Sequence, residues 1–162
     1  MLQKEKVRLY WALGILVVFP LLVYWQVGFM VYTLKWDAMD QFFQHQRFMC
    51  ECFEAGELPL WNPYQYFGSP FYADPQGGFW YPLYWLNSLF SPCDARIINT
   101  SFLMHVILGG VGMYKLLKGF RFSGVVVIAF ALAYECNGLF VSNAQHMPYV
   151  VVGAWLPFVF HY

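Results

Sequence analysis

The chain has 162 residues, of which 60% are hydrophobic and only 11% charged, less than half the charged share of about 25% in an ordinary soluble domain. Nine acids balance nine bases, so no charge imbalance marks a nucleic-acid or strongly acidic partner, and none is expected. Long uncharged runs separate the charges, which excludes a plain soluble domain and points to an all-α, polytopic transmembrane protein.

The first run covers residues 9–34 and carries no charge. A hydrocarbon core of ~30 Å takes about 20 apolar residues as a helix, so this run can span with tilt, kinked at Pro20. A signal peptide would have a shorter apolar region and a small-residue cleavage site. Val31-Tyr32-Thr33-Leu34-Lys35 offers none, and the run reads as an uncleaved anchor.

Residues 35–96 form one long connecting segment with seven acids and three bases. Residues 37–55 have helical spacing and end at Gly56, a natural C′ residue, with Asp37 placed as N-cap. Asp40, Gln44, Arg47, Glu51 and Glu54 fall on one face; Met39, Phe42, Phe43, Met49 and Phe53 fall mainly opposite. Arg47 and Glu51 make an i,i+4 pair. A helix lying along a membrane surface and a helix packed on the protein's own body are equally open readings.

Residues 56–82 hold nine aromatic rings and five prolines against two charges, Glu57 and Asp74. The prolines and Gly68, Gly77 and Gly78 forbid a long helix. Trp61, Tyr64, Tyr66, Phe67, Phe71 and Tyr72 suit an interface, half apolar and half wet, or a stacking surface for sugar faces. Asp74, between Ala73 and Pro75, suits a turn. Residues 79–90 are apolar but too short to span, so they read as interfacial or re-entrant, interrupted by Asn87 and Ser88.

Further runs follow at residues 97–114, 122–141 and 148–162. The last is short for a span, and no polar tail follows it. That reads as the N-terminal part of a longer polytopic protein; three spans and a final re-entrant segment are the alternative. Lys4, Lys6 and Arg8 precede the first run, and Lys115, Lys118 and Arg121 separate the second and third. Under the positive-inside rule these six bases are cytoplasmic, which puts residues 35–96 and the turn 142–147 outside.

Cys50, Cys52 and Cys93 belong to the outer segment, and Cys136 stands near the outer end of the third run. Cys-x-Cys alone is not a zinc spacing, and no metal site is expected. Free buried thiols are the favoured reading, with one bridge from Cys50 or Cys52 to Cys93 open. Asp37 and Asp40, at i and i+3, share a helix face, and two close carboxylates can split their pKa values and leave one as a base. A cap and a dipole partner explain the same spacing. His105 and Glu135 lie inside spans, where an ionisable group is a candidate functional residue by default. His146 stands in an outer turn. Phosphate-loop, HExxH and Ser-His-Asp patterns are lacking.

The order of parts resembles the YfhO-like bacterial membrane proteins, relatives of the GT-C glycosyltransferases. The resemblance rests on an N-terminal span followed by Asp37-x-x-Asp40, then Gly56-x-Leu58-Pro59-x-Trp61-Asn62-Pro63-Tyr64, Gly68-x-Pro70, Ala73-Asp74-Pro75-Gln76, Tyr81-Pro82, Gly112-Met113-Tyr114 and Ala154-Trp155-Leu156-Pro157. It covers nearly the whole chain, although the family's later spans are absent from these residues. It implies an enzyme of the bacterial cytoplasmic membrane that moves a sugar from a polyprenyl-phosphate donor to an envelope polymer, lipid or protein acceptor on the outer face. Asp37 and Asp40 would match the acid of the first outer loop. Arg47, Trp61, Asn62, Tyr64, Asp74 and His146 would contact substrate or membrane lipid. No fixed cofactor is implied; a cation, divalent, or an arginine would stabilise the departing phosphate. The competing expectation is a non-catalytic transport or envelope-assembly subunit whose aromatic loop binds a lipid or a partner.

Overall fold

A computed structural model describes the backbone of residues 2–161 and the side chains of residues 9–161. Lys4, Lys6 and Arg8, which carry half of the expected orientation signal, have side chains outside the described residues. The protein is mostly helical. It divides into two units, one formed by Met1–Val31 with Phe102–Tyr162 and the other by Tyr32–Ser101.

The first unit holds the apolar helices. Helix α1 runs Leu2–Val23, followed by a single turn, α2, at Trp25–Gly28. Helix α5, Arg96–Gly119, contributes most of its length here, followed by α6 (Gly124–Glu135), α7 (Gly138–Ser142) and α8 (Met147–His161). Among the described residues, two stretches are long and apolar enough to cross a membrane, Arg96–Gly119 and Gly124–Ser142. The uncharged run 9–34 is not one continuous helix: α1 stops at Val23, α2 adds a single turn, and Met30 takes a left-handed φ of 57°. Helix α1 has 22 residues, roughly 33 Å at 1.5 Å per residue. Among the described residues, Leu9–Val23 and Met147–His161 are shorter apolar helices.

Ala12 and Leu16 of α1 pack with Tyr114 of α5 and with Val127 and Ala131 of α6 in a buried cluster. Small residues set how close the helices come. A Cβ on Gly112 would meet the Phe158 ring at 2.6 Å, and one on Gly110 would overlap the Glu135 carboxyl group. Asn137 caps α7, its Oδ1 accepting from the Phe140 N–H at 3.1 Å, so the third apolar run is two helices joined at a cap. The Tyr24 hydroxyl donates to the Glu135 backbone carbonyl at 2.7 Å.

The second unit is built differently. A π-helical turn, Ala38–Phe42, leads into α3, Phe43–Glu54. Helix α3 ends as the sequence requires. Gly56 has φ 74°, its N–H donates to Phe53 O at 3.0 Å, and Glu57 N–H donates to Cys52 O at 2.8 Å. That is the paired C-terminal bonding of a Schellman motif. The two faces also fall as read: Asp40, Gln44, Arg47, Glu51 and Glu54 are exposed, whereas Phe42, Phe43, Phe48 and Met49 are buried. Of the two placements left open, the structure supplies packing on the protein's own body. The apolar face of α3 is covered by α4 (Pro82–Phe90) and by the aromatic segment, with Phe42–Tyr84 and Phe48–Phe71 ring pairs at 5.1 Å and Phe53–Trp85 at 5.2 Å. It is therefore not a lipid-facing surface. Met39 alone of that set stays exposed. Phe71, expected at an interface, is 1% exposed and belongs to the core. Burying one such ring contributes roughly 1.5–3 kcal/mol.

Helix α4 keeps Leu86, Leu89 and Phe90 exposed and turns Tyr84, Asn87 and Ser88 inward. Asn87 is the joint between α4 and the start of α5. Its Nδ2 donates to Ile97 O at 2.9 Å, and its Oδ1 accepts from Ser91 and Thr100 hydroxyls at 2.8 Å each. The reading of the cysteines as free thiols is also corrected. Cys50 and Cys93 form a disulfide with Cα atoms 5.6 Å apart, and Cys52 and Cys136 remain free. The Cα separation and Cβ direction that folding imposes decide which of Cys50 and Cys52 can bridge.

The bridge closes a loop with a sequence separation of 43, for which the chain-entropy relation gives about 4 kcal/mol. Cys93→Ser is expected to lower the thermal unfolding midpoint of the protein in detergent by an amount matching that loss. Reductant is expected to lower the unmodified protein to the same point and leave the variant unmoved. Equal midpoints with and without the bridge would contradict the placement.

Candidate functional site

The site is assembled from α3 and the aromatic segment of the second unit. Trp61–Asn62 and Ser69–Pro70 pair as a two-residue antiparallel ribbon, β1 and β2. Tyr66, Phe67 and Gly68 close it with φ of 51°, 61° and 111°. Left-handed geometry costs a non-glycine residue roughly 1–2 kcal/mol, and such outliers concentrate at functional loops. Gly68 is required twice, since a Cβ there would also meet the Trp61 indole at 2.8 Å. The result pushes Tyr64, Tyr66 and Phe67 out into solvent.

Between this ribbon and the polar face of α3 lies a cleft of about 450 Å3, lined by Gln44, Arg47, Phe48, Glu51, Asn62, Tyr64 and Gln65. A second cleft of about 410 Å3 shares Phe48, Glu51 and Tyr64, and adds Leu58, Leu60 and Trp61 among its walls. Both volumes fall in the range of small-molecule sites. Arg47 Nε donates to Glu51 Oε1 at 2.6 Å, as the i,i+4 spacing predicts, and both side chains are about half exposed. Asn62 is buried, its Oδ1 accepting from Tyr64 N–H at 2.9 Å. That bond holds the Tyr64 backbone at the cleft.

Behind the cleft lies a feature that the sequence reading missed. His45, on the inner face of α3, is 2% exposed. Its Nε2 lies 3.4 Å from Asp74 Oδ2 and 3.3 Å from the Gln65 side-chain amide, and its Nδ1 has no hydrogen-bond partner. Asp74 also takes the turn role read for it, Oδ1 accepting from Gln76 N–H at 2.9 Å. Gln76 in turn accepts a hydrogen bond from Gln41 of the π-helical turn. Burial pushes the His45 imidazole below its ordinary range, against the opposing pull of Asp74 and the Gln65 bond. Nothing in the local sequence pairs His45 with Asp74, because the contact exists only once α3 and the turn have packed.

The sequence-read residues thus divide. Arg47, Asn62 and Tyr64 line one cleft, Trp61 and Tyr64 the other, and Asp74 stands behind them through His45. Asp37 and Asp40 are exposed on the π-helical turn and line neither cleft. Asp37 occupies the N-cap position but makes no capping hydrogen bond. His146 belongs to the first unit, half-buried, 3.3 Å from the Gln145 amide and edge-on to the Tyr149 ring. Arg96 is held by Asp94, Nη2 to Oδ2 at 2.6 Å. Inside the apolar helices, His105 and Glu135 are both fully buried.

Among the described residues, Cys50, Glu54 and Cys93 are the groups whose ligand atoms come within 4.8 Å of one another. The two thiols are joined in the disulfide and are not thiolate ligands, so this cluster does not fit a metal. No family model, curated protein sequence or solved structure matches the chain.

The buried histidine makes the second unit acid-sensitive. The folded state holds His45 neutral and lowers its pKa, whereas the unfolded chain protonates it near the ordinary value of about 6.5. Between the two values the unfolded state binds more protons, so stability is fully present above about pH 6.5 and falls as pH drops. Thermal midpoints measured from pH 7.5 downward are expected to decline, with a shallower decline in His45→Gln. An unchanged slope in the variant would contradict this.

Proposed function

We propose that this chain carries the outer substrate-binding unit of a membrane glycosyltransferase resembling the YfhO-like relatives of the GT-C enzymes. The observation that carries the reading is the first cleft, whose walls combine an exposed Tyr64 ring, the Arg47–Glu51 pair and the amides of Gln44, Asn62 and Gln65. Rings of this kind offer an apolar face to the C–H side of a pyranose. Amides and charged groups match its hydroxyls, and an arginine suits the phosphate that ties a sugar to a polyprenyl lipid.

In this reading the unit faces the outside of a bacterial cytoplasmic membrane. Three observations support that side: the Cys50–Cys93 disulfide, which persists in oxidising compartments, the acid excess of residues 35–96, and the Lys115, Lys118 and Arg121 cluster between the two candidate spans. An acceptor hydroxyl of an envelope polymer, lipid or protein attacks the anomeric carbon. Its proton passes to Asp37 or Asp40, the bond from carbon to the lipid phosphate oxygen breaks, and the phosphate leaves with the electron pair. Arg47 is the base placed to meet that charge. The proton-accepting role of Asp37 and Asp40 rests on the resemblance.

Because neither acid lines a cleft, a second reading has its own support: a non-catalytic subunit that holds a lipid or an envelope partner on Trp61, Tyr64, Tyr66 and Phe67. Replacement separates the two. The transferase reading expects Asp37→Asn or Asp40→Asn to cut sugar transfer to the envelope by about 10²-fold or more, at unchanged protein level. Transfer unchanged in both variants, together with loss of function in Trp61→Ala and Tyr64→Ala, would hand the case to the binding subunit.

A further inference from the structure

We infer that Asp74, acting through His45, turns the Gln65 amide so that its NH2 group faces the cleft and donates to an oxygen of the bound sugar. The sugar in this statement rests on the transferase reading; the orientation of the amide does not.

A neutral imidazole carries a single N–H, on Nδ1 or on Nε2. Nδ1 has no partner in either tautomer, so the choice turns on Nε2. A proton on Nδ1 would aim the bare Nε2 lone pair at the Asp74 carboxylate 3.4 Å away. A proton on Nε2 instead points to Asp74 Oδ2, beside the Gln65 amide 3.3 Å away. The amide atom placed 3.3 Å from that N–H is Gln65 Nε2, a donor facing a donor; the amide is therefore assigned turned over, with its acceptor Oε1 toward His45. Which amide atom is oxygen is settled by such a network and not by the shape of the group.

The consequence reaches the cleft. With Oε1 held inward, the NH2 group of Gln65 is directed to the space it shares with Gln44, Arg47 and Tyr64. The direction is fixed from behind. Asp74 is anchored by the Gln76 N–H and followed by Pro75, and His45 is wedged against the Phe71 ring, centroids 5.9 Å apart. Asp74 is the charged group acting on His45; Gln65 and Phe71 are its other ring neighbours. His45 and Asp74 are thus positioning residues, and Gln65 is the contact residue. Donors from Gln65 and Arg47 in one cleft favour a ligand rich in oxygen acceptors.

The test is nitrogen-15 NMR of the histidine rings in the full chain, reconstituted in lipid nanodiscs at neutral pH. The His45 signals are identified by their loss in His45→Gln. The expected result is a single tautomer protonated on Nε2, becoming a mixture in Asp74→Ala and, as a check on folding, in the shape-conserving Asp74→Asn. A proton on Nδ1, a charged ring at neutral pH, or a tautomer indifferent to both variants would overturn the inference. Gln65→Met, which removes the NH2 group at similar size and adds no charge, is expected to lower envelope sugar transfer by about tenfold or more with the His45 proton kept on Nε2 by Asp74. Normal transfer in Gln65→Met alongside lost transfer in Asp37→Asn or Asp40→Asn would overturn the donor role and leave the transferase reading in place. An Nε2 tautomer in a protein that transfers no sugar would uphold the orientation and remove the transferase reading.

Discussion

The Cys50–Cys93 bridge is the constraint on which the second unit depends. It fastens the C-terminal half of α3 to the approach of α5, across a segment whose prolines and glycines leave no long regular element. Once that end is fixed, the α3 side that carries Phe42, Phe48 and Met49 must be covered by α4 and the aromatic segment. The opposite side, with Gln44, Arg47 and Glu51, is left to form one wall of the cleft. Asn87 secures the same junction with three hydrogen bonds. A buried amide with its groups satisfied is worth more as a specifier of geometry than as a net source of stability.

The aromatic segment resolves into two populations. Phe71 and Phe79 turn inward and build the core; Trp61, Tyr64, Tyr66, Phe67 and Trp80 stay out. The division follows from the ribbon. Pairing of Trp61–Asn62 with Ser69–Pro70 forces a short connection, and three consecutive left-handed residues complete it. Folding energy from the rest of the unit sustains that geometry, and the exposed rings are its product. Rings held out of the core in this way form a surface and add little to stability.

Much of this was legible locally. The end of α3 at Gly56, the separation of its faces, the Arg47–Glu51 pair and the turn at Asp74 each depend on residues within five positions, and each stands as read. What escaped was non-local. His45 resembles any apolar-face histidine until Asp74 and Gln65 arrive from distant parts of the chain. The choice of Cys50 over Cys52 is set by which cysteine the folded unit brings against Cys93. The uncharged run 9–34 reads as one long helix by apolar content, whereas the backbone breaks it at Val23, with the left-handed Met30 further on. Residues read on chemistry alone, Asp37, Asp40 and His146, were not gathered with the cleft, since spacing of acids and histidines carries no information about which surfaces meet.

The account stands or falls on the second unit being a disulfide-closed body on the oxidising side of a membrane. Its most direct test is the redox state of the cysteines in protein trapped with acid straight from growing cells. Alkylation under denaturing conditions before reduction is expected to label Cys52 and Cys136 and spare Cys50 and Cys93, which should label only after reduction. Full labelling of all four without reductant would contradict the bridge, the outward placement and the cleft built upon them.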